Sequence, residues 1–108
     1  MSKRAGELMH VISYSRLKQF WRNHPTAEVS LRYWYKLTIK QQWQSFNDIC
    51  QTFPTADKVK NFVVFNIGGN NFRLIAYVDY KQSKVFIRFV LTHAEYDKED
   101  WKKDEWYQ

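Results

Sequence analysis

Cysteine is almost missing from this sequence: Cys50 stands alone among 108 residues, so no internal disulfide can form and nothing points to secretion. It lies in an apolar stretch, where a core thiol is its natural role. Only two prolines occur, Pro25 and Pro54, and both fall where helical patterns stop. The three histidines, His10, His24 and His93, are far apart and lack the Cys or carboxylate spacing of a metal site, so neither a metal nor another cofactor is expected. No apolar run is long enough to cross a bilayer, and the N-terminus lacks a signal-peptide h-region. A cytoplasmic location with no membrane partner is the resulting expectation. Repeats and low-complexity linkers are absent too, which suggests a flexible tail at 1–8 and a single domain at 9–108.

Aromatic residues and positive charge are plentiful. Five Trp, seven Tyr and eight Phe exceed what so small a core can hide, so some rings are left at the surface to meet a partner or a base. The net charge of +6 is unevenly spread. Residues 95–108 carry six acids and three bases, a balance of −3, and residues 1–94 carry 14 bases against 5 acids, a balance of +9. A basic body with an acidic end segment points to a polyanionic partner, nucleic acid foremost.

Hydrophobic spacing predicts an α+β fold. A short strand at 9–13 precedes helices at 15–25, 26–41 and about 45–54, with Ser15 and Thr26 as expected N-caps. After Pro54 the period changes to alternation, predicting strands at 60–67, 72–79 and 84–92. The C-terminal stretch is expected to be helical at first and looser near its end. Helices then strands in sequence predict helices packed on one face of a small antiparallel sheet.

Turn lengths decide which strand positions share a face. A two- or four-residue loop around Gly68 and Gly69 puts Arg73 on the face of Lys60, Phe62, Val64 and Asn66. A similar loop at 80–83 adds Tyr77, Phe86, Arg88 and Val90, with Arg88 opposite Ile75. The other face then collects Val63, Phe65, Ile67, Phe72, Leu74, Ala76, Val78, Val85, Ile87, Phe89 and Leu91, all apolar, and packs on the helices. Arg73 is the anomaly, a guanidinium inside an apolar strand. Either a carboxylate from elsewhere (Glu95, Asp97 or Asp79) pairs with it, or the face holds an anion. Cations interleaved with Phe62, Tyr77 and Phe86 suit phosphates and stacked bases. His93 and Tyr96 emerge at the end of the last strand, with Lys98 beyond. An imidazole beside two arginines has the makings of a metal-free ribonuclease site.

The segments "MHVIS", "KNFVVFNIGGNNFRLIA" and "VFIRFVLTHAEYDKEDW" resemble the HigB toxins of the RelE superfamily, from Met9 to about Trp101. The resemblance implies a RelE-like α+β fold with a basic concave sheet face. It implies an mRNA interferase, an endoribonuclease usually acting in the ribosomal A site, metal-free and using the 2′-hydroxyl as nucleophile. A HigA-type helix-turn-helix antitoxin is the implied partner. Arg73 matches the arginine of the family's "N-x-x-R" strand, and His93 and Tyr96 match its "T-H-x-E-Y". Lys60 joins these as a candidate catalytic residue, while Arg88, Lys98, Tyr77 and Phe62 are candidates for RNA binding. The alternative is a non-catalytic RNA- or DNA-binding module that uses the same face, for which His93 has no need.

Overall fold

The computed structural model describes residues 7–108. Residues 1–6, most of the expected tail, lie outside the described residues. Met9 is already buried in the core. Strand β1 (His10–Ile12) leads into helix α1 (Ser15–Asn23), which buries Leu17 and Trp21. A 3₁₀ turn at Pro25–Ala27 joins it to α2 (Glu28–Thr38), whose buried residues Leu31, Trp34 and Thr38 recur at helical spacing. Neither α1 nor α2 takes the predicted side-chain cap: Ser15 is already helical and Thr26 lies inside the 3₁₀ turn. Ser45 does cap α3 (Phe46–Thr52), its side chain accepting from the Asp48 N–H at 3.4 Å. No helix among the described residues is long and apolar enough to cross a membrane.

Five strands form one mixed sheet in the order β1-β5-β4-β3-β2. Here β2 is Asp57–Val59, β3 Phe62–Ile67, β4 Phe72–Asp79 and β5 Lys84–Thr92. β2 was not anticipated, and β1 runs parallel to β5, so the sheet is not wholly antiparallel. The β3–β4 hairpin has the predicted parity, with Arg73 opposite Asn66. Gly68 and Gly69 supply the turn's positive φ of 60° and 67°.

The β4–β5 hairpin departs from the expected register. Ala76 pairs with Ile87 but Ile75 pairs with Phe89, which leaves Arg88 as the extra residue of a bulge. Beyond it the strand's parity is inverted. Phe89 and Leu91, expected under the helices, pack on the Arg73 side instead, and Val90 joins the helix side.

The helix side forms the main core, where Trp34 and Phe53 meet Phe65 edge-on and Trp43 stacks parallel to it. The opposite face is not open. After β5 the chain forms α4 (His93–Asp97) and two 3₁₀ turns, Asp100–Lys103 and Glu105–Tyr107. This segment returns across the sheet and buries Trp101 against Phe62, Val64 and Ile75. Burial of a ring that size contributes about 3 kcal/mol, enough to hold a short irregular segment in place.

Candidate active site at the end of the sheet

Arg73 is 92% buried yet has no carboxylate partner among the described residues. One terminal nitrogen donates to the carbonyls of Asn70 and Phe72, both at 3.1 Å. The other donates to the Asn70 side-chain oxygen. The guanidinium also faces the Tyr96 ring, 5.3 Å from its centroid. Three of its five N–H groups are thereby used, leaving two directed donors and a full positive charge. Burying such a charge without a counter-ion costs several kcal/mol, a cost that a bound anion would offset. The three carboxylates expected as partners act elsewhere. Glu95 closes a capping box with Thr92, Asp97 meets His93, and Asp79 accepts from the Gln82 N–H.

His93 opens α4 beside Arg73's strand, its backbone N–H donating to the Asn71 carbonyl at 3.2 Å. The Thr92–Glu95 capping box fixes this helix start, so the strand-to-helix junction is defined although α4 has only five residues. His93 Nδ1 lies 3.0 Å from Asp97 Oδ2, one turn on, and its side chain is about half exposed. In a neutral imidazole with Nδ1–H donated to that carboxylate, Nε2 is the acceptor. Tyr96 stacks on Trp101 at 5.2 Å and 8°. Burial pushes its phenol pKa up and Asp57 adds to the rise, outweighing the opposing effects of Arg73 and Lys102. It is therefore a neutral hydroxyl at physiological pH. Lys98 is exposed and borders a cleft formed by Phe89, Leu91 and Trp101. Among the described residues, no three His, Cys, Asp or Glu side chains gather as a metal set.

The remaining candidates lie apart from this cluster. Arg88 is clamped by Asp104, which accepts from Nε at 3.0 Å and from the second nitrogen at 2.8 Å. Trp106 lies flat against it at 3.9 Å. The acid that neutralises Arg88 comes from the returning C-terminal segment, not from the strands. Phe62 is fully buried beneath Trp101 and Tyr107, so it offers no face to a base. Tyr77 is partly exposed but already packed edge-on by Trp106 at 5.6 Å. Lys60 sits in the β2–β3 turn with φ 54°, six residues before Asn66, the residue opposite Arg73. At about 3.3 Å per strand residue that is roughly 20 Å away, the length of β3.

Residues 27–99 match the HigB toxin family, described as the RelE-like toxic component of a toxin-antitoxin system. The chain belongs to that family. It is similar to the mRNA interferase HigB of Escherichia coli O6:H1, 30% identical over 93 residues that cover 83% of this chain and 90% of the relative. It is likewise similar to the mRNA interferase HigB of Shigella flexneri, 33% identical over 92 residues covering 82% of this chain and 88% of the relative.

For this HigB-family chain, two features of the site escaped the sequence reading. Asn70 was not singled out, but its backbone and side-chain oxygens both hold Arg73. Its position three residues before a strand arginine was the available signal. The C-terminal aromatics Trp101, Trp106 and Tyr107 are the second. The surplus of rings was expected at the surface, but these three pack into a second aromatic cluster on the Arg73 side of the sheet.

Proposed function

We propose that this toxin is an endoribonuclease that cleaves messenger RNA, usually on the ribosome in the cytoplasm, and is restrained by a HigA-type antitoxin. The observation that carries the reading is Arg73: a buried, uncompensated guanidinium, fixed by carbonyls, at the strand end where His93 and Tyr96 emerge. In this reading the scissile phosphate takes the two free N–H donors of Arg73. His93 Nε2 removes the proton of the 2′-hydroxyl, whose oxygen attacks the adjacent phosphorus. Arg73 stabilises the charge that builds on the phosphorane, and the bond to the 5′-oxygen breaks. Tyr96, kept protonated by its surroundings, is suited to give the leaving oxygen its proton or to stack on a neighbouring base. A 2′,3′-cyclic phosphate and a 5′-hydroxyl result, with no water consumed and no metal required. Lys98 supplies charge at the margin for a flanking phosphate.

Primer extension on mRNA in a purified translation system tests this, comparing wild type with Arg73→Ala and His93→Ala, with and without ribosomes. Cleavage that needs ribosomes and falls at least about a hundredfold in both variants is the expected result. RNA binding without cleavage under every condition would make the site a binding platform and sink the catalytic reading.

A further inference from the structure

The most exposed large apolar side chains of the described residues are on α2, which packs on the opposite face of the sheet from Arg73. Val29 is 79% and Tyr33 61% exposed, against 49% for Leu8. They are one helical turn apart, on the side of α2 turned away from Leu31 and Trp34. Single exposed apolar residues are ordinary, but these two form a ridge between two clefts. Tyr14, Tyr35 and Ile39 contribute to one, of about 550 Å³, and Phe53, Ile67 and Gly68 to the other, of about 340 Å³.

Charge selects the occupant. Lys36 follows Tyr33 at i+3 on α2 and Lys40 lies in the turn just past the helix, both exposed, and no carboxylate pairs with either among the described residues. Arg32 lies alongside, paired with Glu28. An apolar ridge continued by unpaired cations complements a segment with apolar anchors and acidic neighbours. Nucleic acid would use the lysines but gain nothing from Val29. A second copy of the chain would bring cation to cation across a self-complementary interface. Because α2 packs on the helix side of the sheet, Trp34 against Phe65 at 5.4 Å, an occupant here leaves the Arg73 face uncovered.

We infer that the α2 ridge is the surface where the antitoxin docks, through an apolar segment flanked by acidic side chains. The inference rests on the toxin-antitoxin reading and adds the surface and the chemistry of the segment that meets it. The test is calorimetric titration of the full chain with a purified HigA-type helix-turn-helix antitoxin. Val29→Glu and Tyr33→Glu are each expected to weaken binding by roughly thirtyfold or more. Lys36→Glu with Lys40→Glu is expected to weaken it about tenfold at low salt, and less at high salt. Val29→Ser and Tyr33→Ser give the same reading if a glutamate variant folds poorly. Cleavage assayed without antitoxin should stay at the wild-type level in the Val29 and Tyr33 variants. Loss of cleavage in the wild-type chain would therefore count against the enzymatic reading and leave docking to be judged by titration. Antitoxin affinity within threefold of wild type in all these variants overturns the inference. So does loss of affinity only on substitution around Arg73, or a change confined to self-association in sedimentation.

Discussion

Replacing Asn70 by aspartate should make the protein more stable and less active, in opposite directions from one nearly isosteric change. The Asn70 side-chain oxygen accepts from Arg73, whose charge has no carboxylate partner among the described residues. A carboxylate there turns a neutral acceptor into a charged one. Asn70 is exposed, so the new charge is only weakly desolvated. The gain in folding stability is about 1 kcal/mol, the difference between charged and neutral hydrogen bonds after solvent screening. A phosphate on the two free N–H donors of Arg73 would lie about 6 Å from that carboxylate. At an effective dielectric of about 20, the repulsion is about 3 kcal/mol, roughly a hundredfold in rate. Urea denaturation gives the first quantity and single-turnover cleavage of ribosome-bound mRNA the second. A folded Asn70→Asp protein that cleaves within threefold of wild type would refute the placement of a phosphate on Arg73. A loss of stability instead would mean that the amide's own donors are needed in the turn.

Trp101→Ala uncovers Phe62, Val64 and Ile75 and should cost about 3 to 5 kcal/mol by chemical denaturation. Asp104→Asn leaves Arg88 with a weaker acceptor in a site where Asp104's side chain is only 7% exposed; about 1 to 3 kcal/mol of stability should be lost. The same variant should bind single-stranded RNA more tightly in filter binding, because no carboxylate then offsets the charge of Arg88. Tyr80 has a buried, unpartnered hydroxyl, and burial pushes its pKa up from 10.0 to about 12. Its unfolded form loses the proton first, so stability should fall as pH rises from 10 toward 12, by about 1 to 2 kcal/mol after allowance for partial exposure. Tyr80→Phe should shrink that decline in denaturation curves taken across the window, leaving the share of Tyr96, whose pKa is also raised, with no loss at neutral pH. Lys60→Gly relieves a positive φ at the far end of β3 and should raise the melting temperature slightly; cleavage should stay within about threefold of wild type.

Local pattern alone determined a good deal of this HigB-family protein. The change from helical spacing to alternation after Pro54, the glycine turn, and the face that Arg73 shares with Asn66 are written in neighbouring residues, because either even turn length gives the same parity. Arg73, His93 and Tyr96 were singled out from motifs in adjacent segments, and the fold brings the Tyr96 ring to 5.3 Å from the Arg73 guanidinium. The bulge was not legible. Val85 to Leu91 is apolar on both sides of Arg88, so either parity gave a dry helix face and no residue type signalled the slip. The helix α1 does mark the spot in space, where Arg16 donates to the Arg88 carbonyl. Nor could spacing show that the acidic end segment returns to its own sheet. The Arg88–Asp104 clamp and the burial of Phe62 under Trp101 join residues 16 and 39 positions apart. Such contacts exist only once the chain has folded back, and the apolar area buried there offsets the entropy of closing the loop. Composition supplied a basic face; the returning segment decided which of its cations remain unpaired.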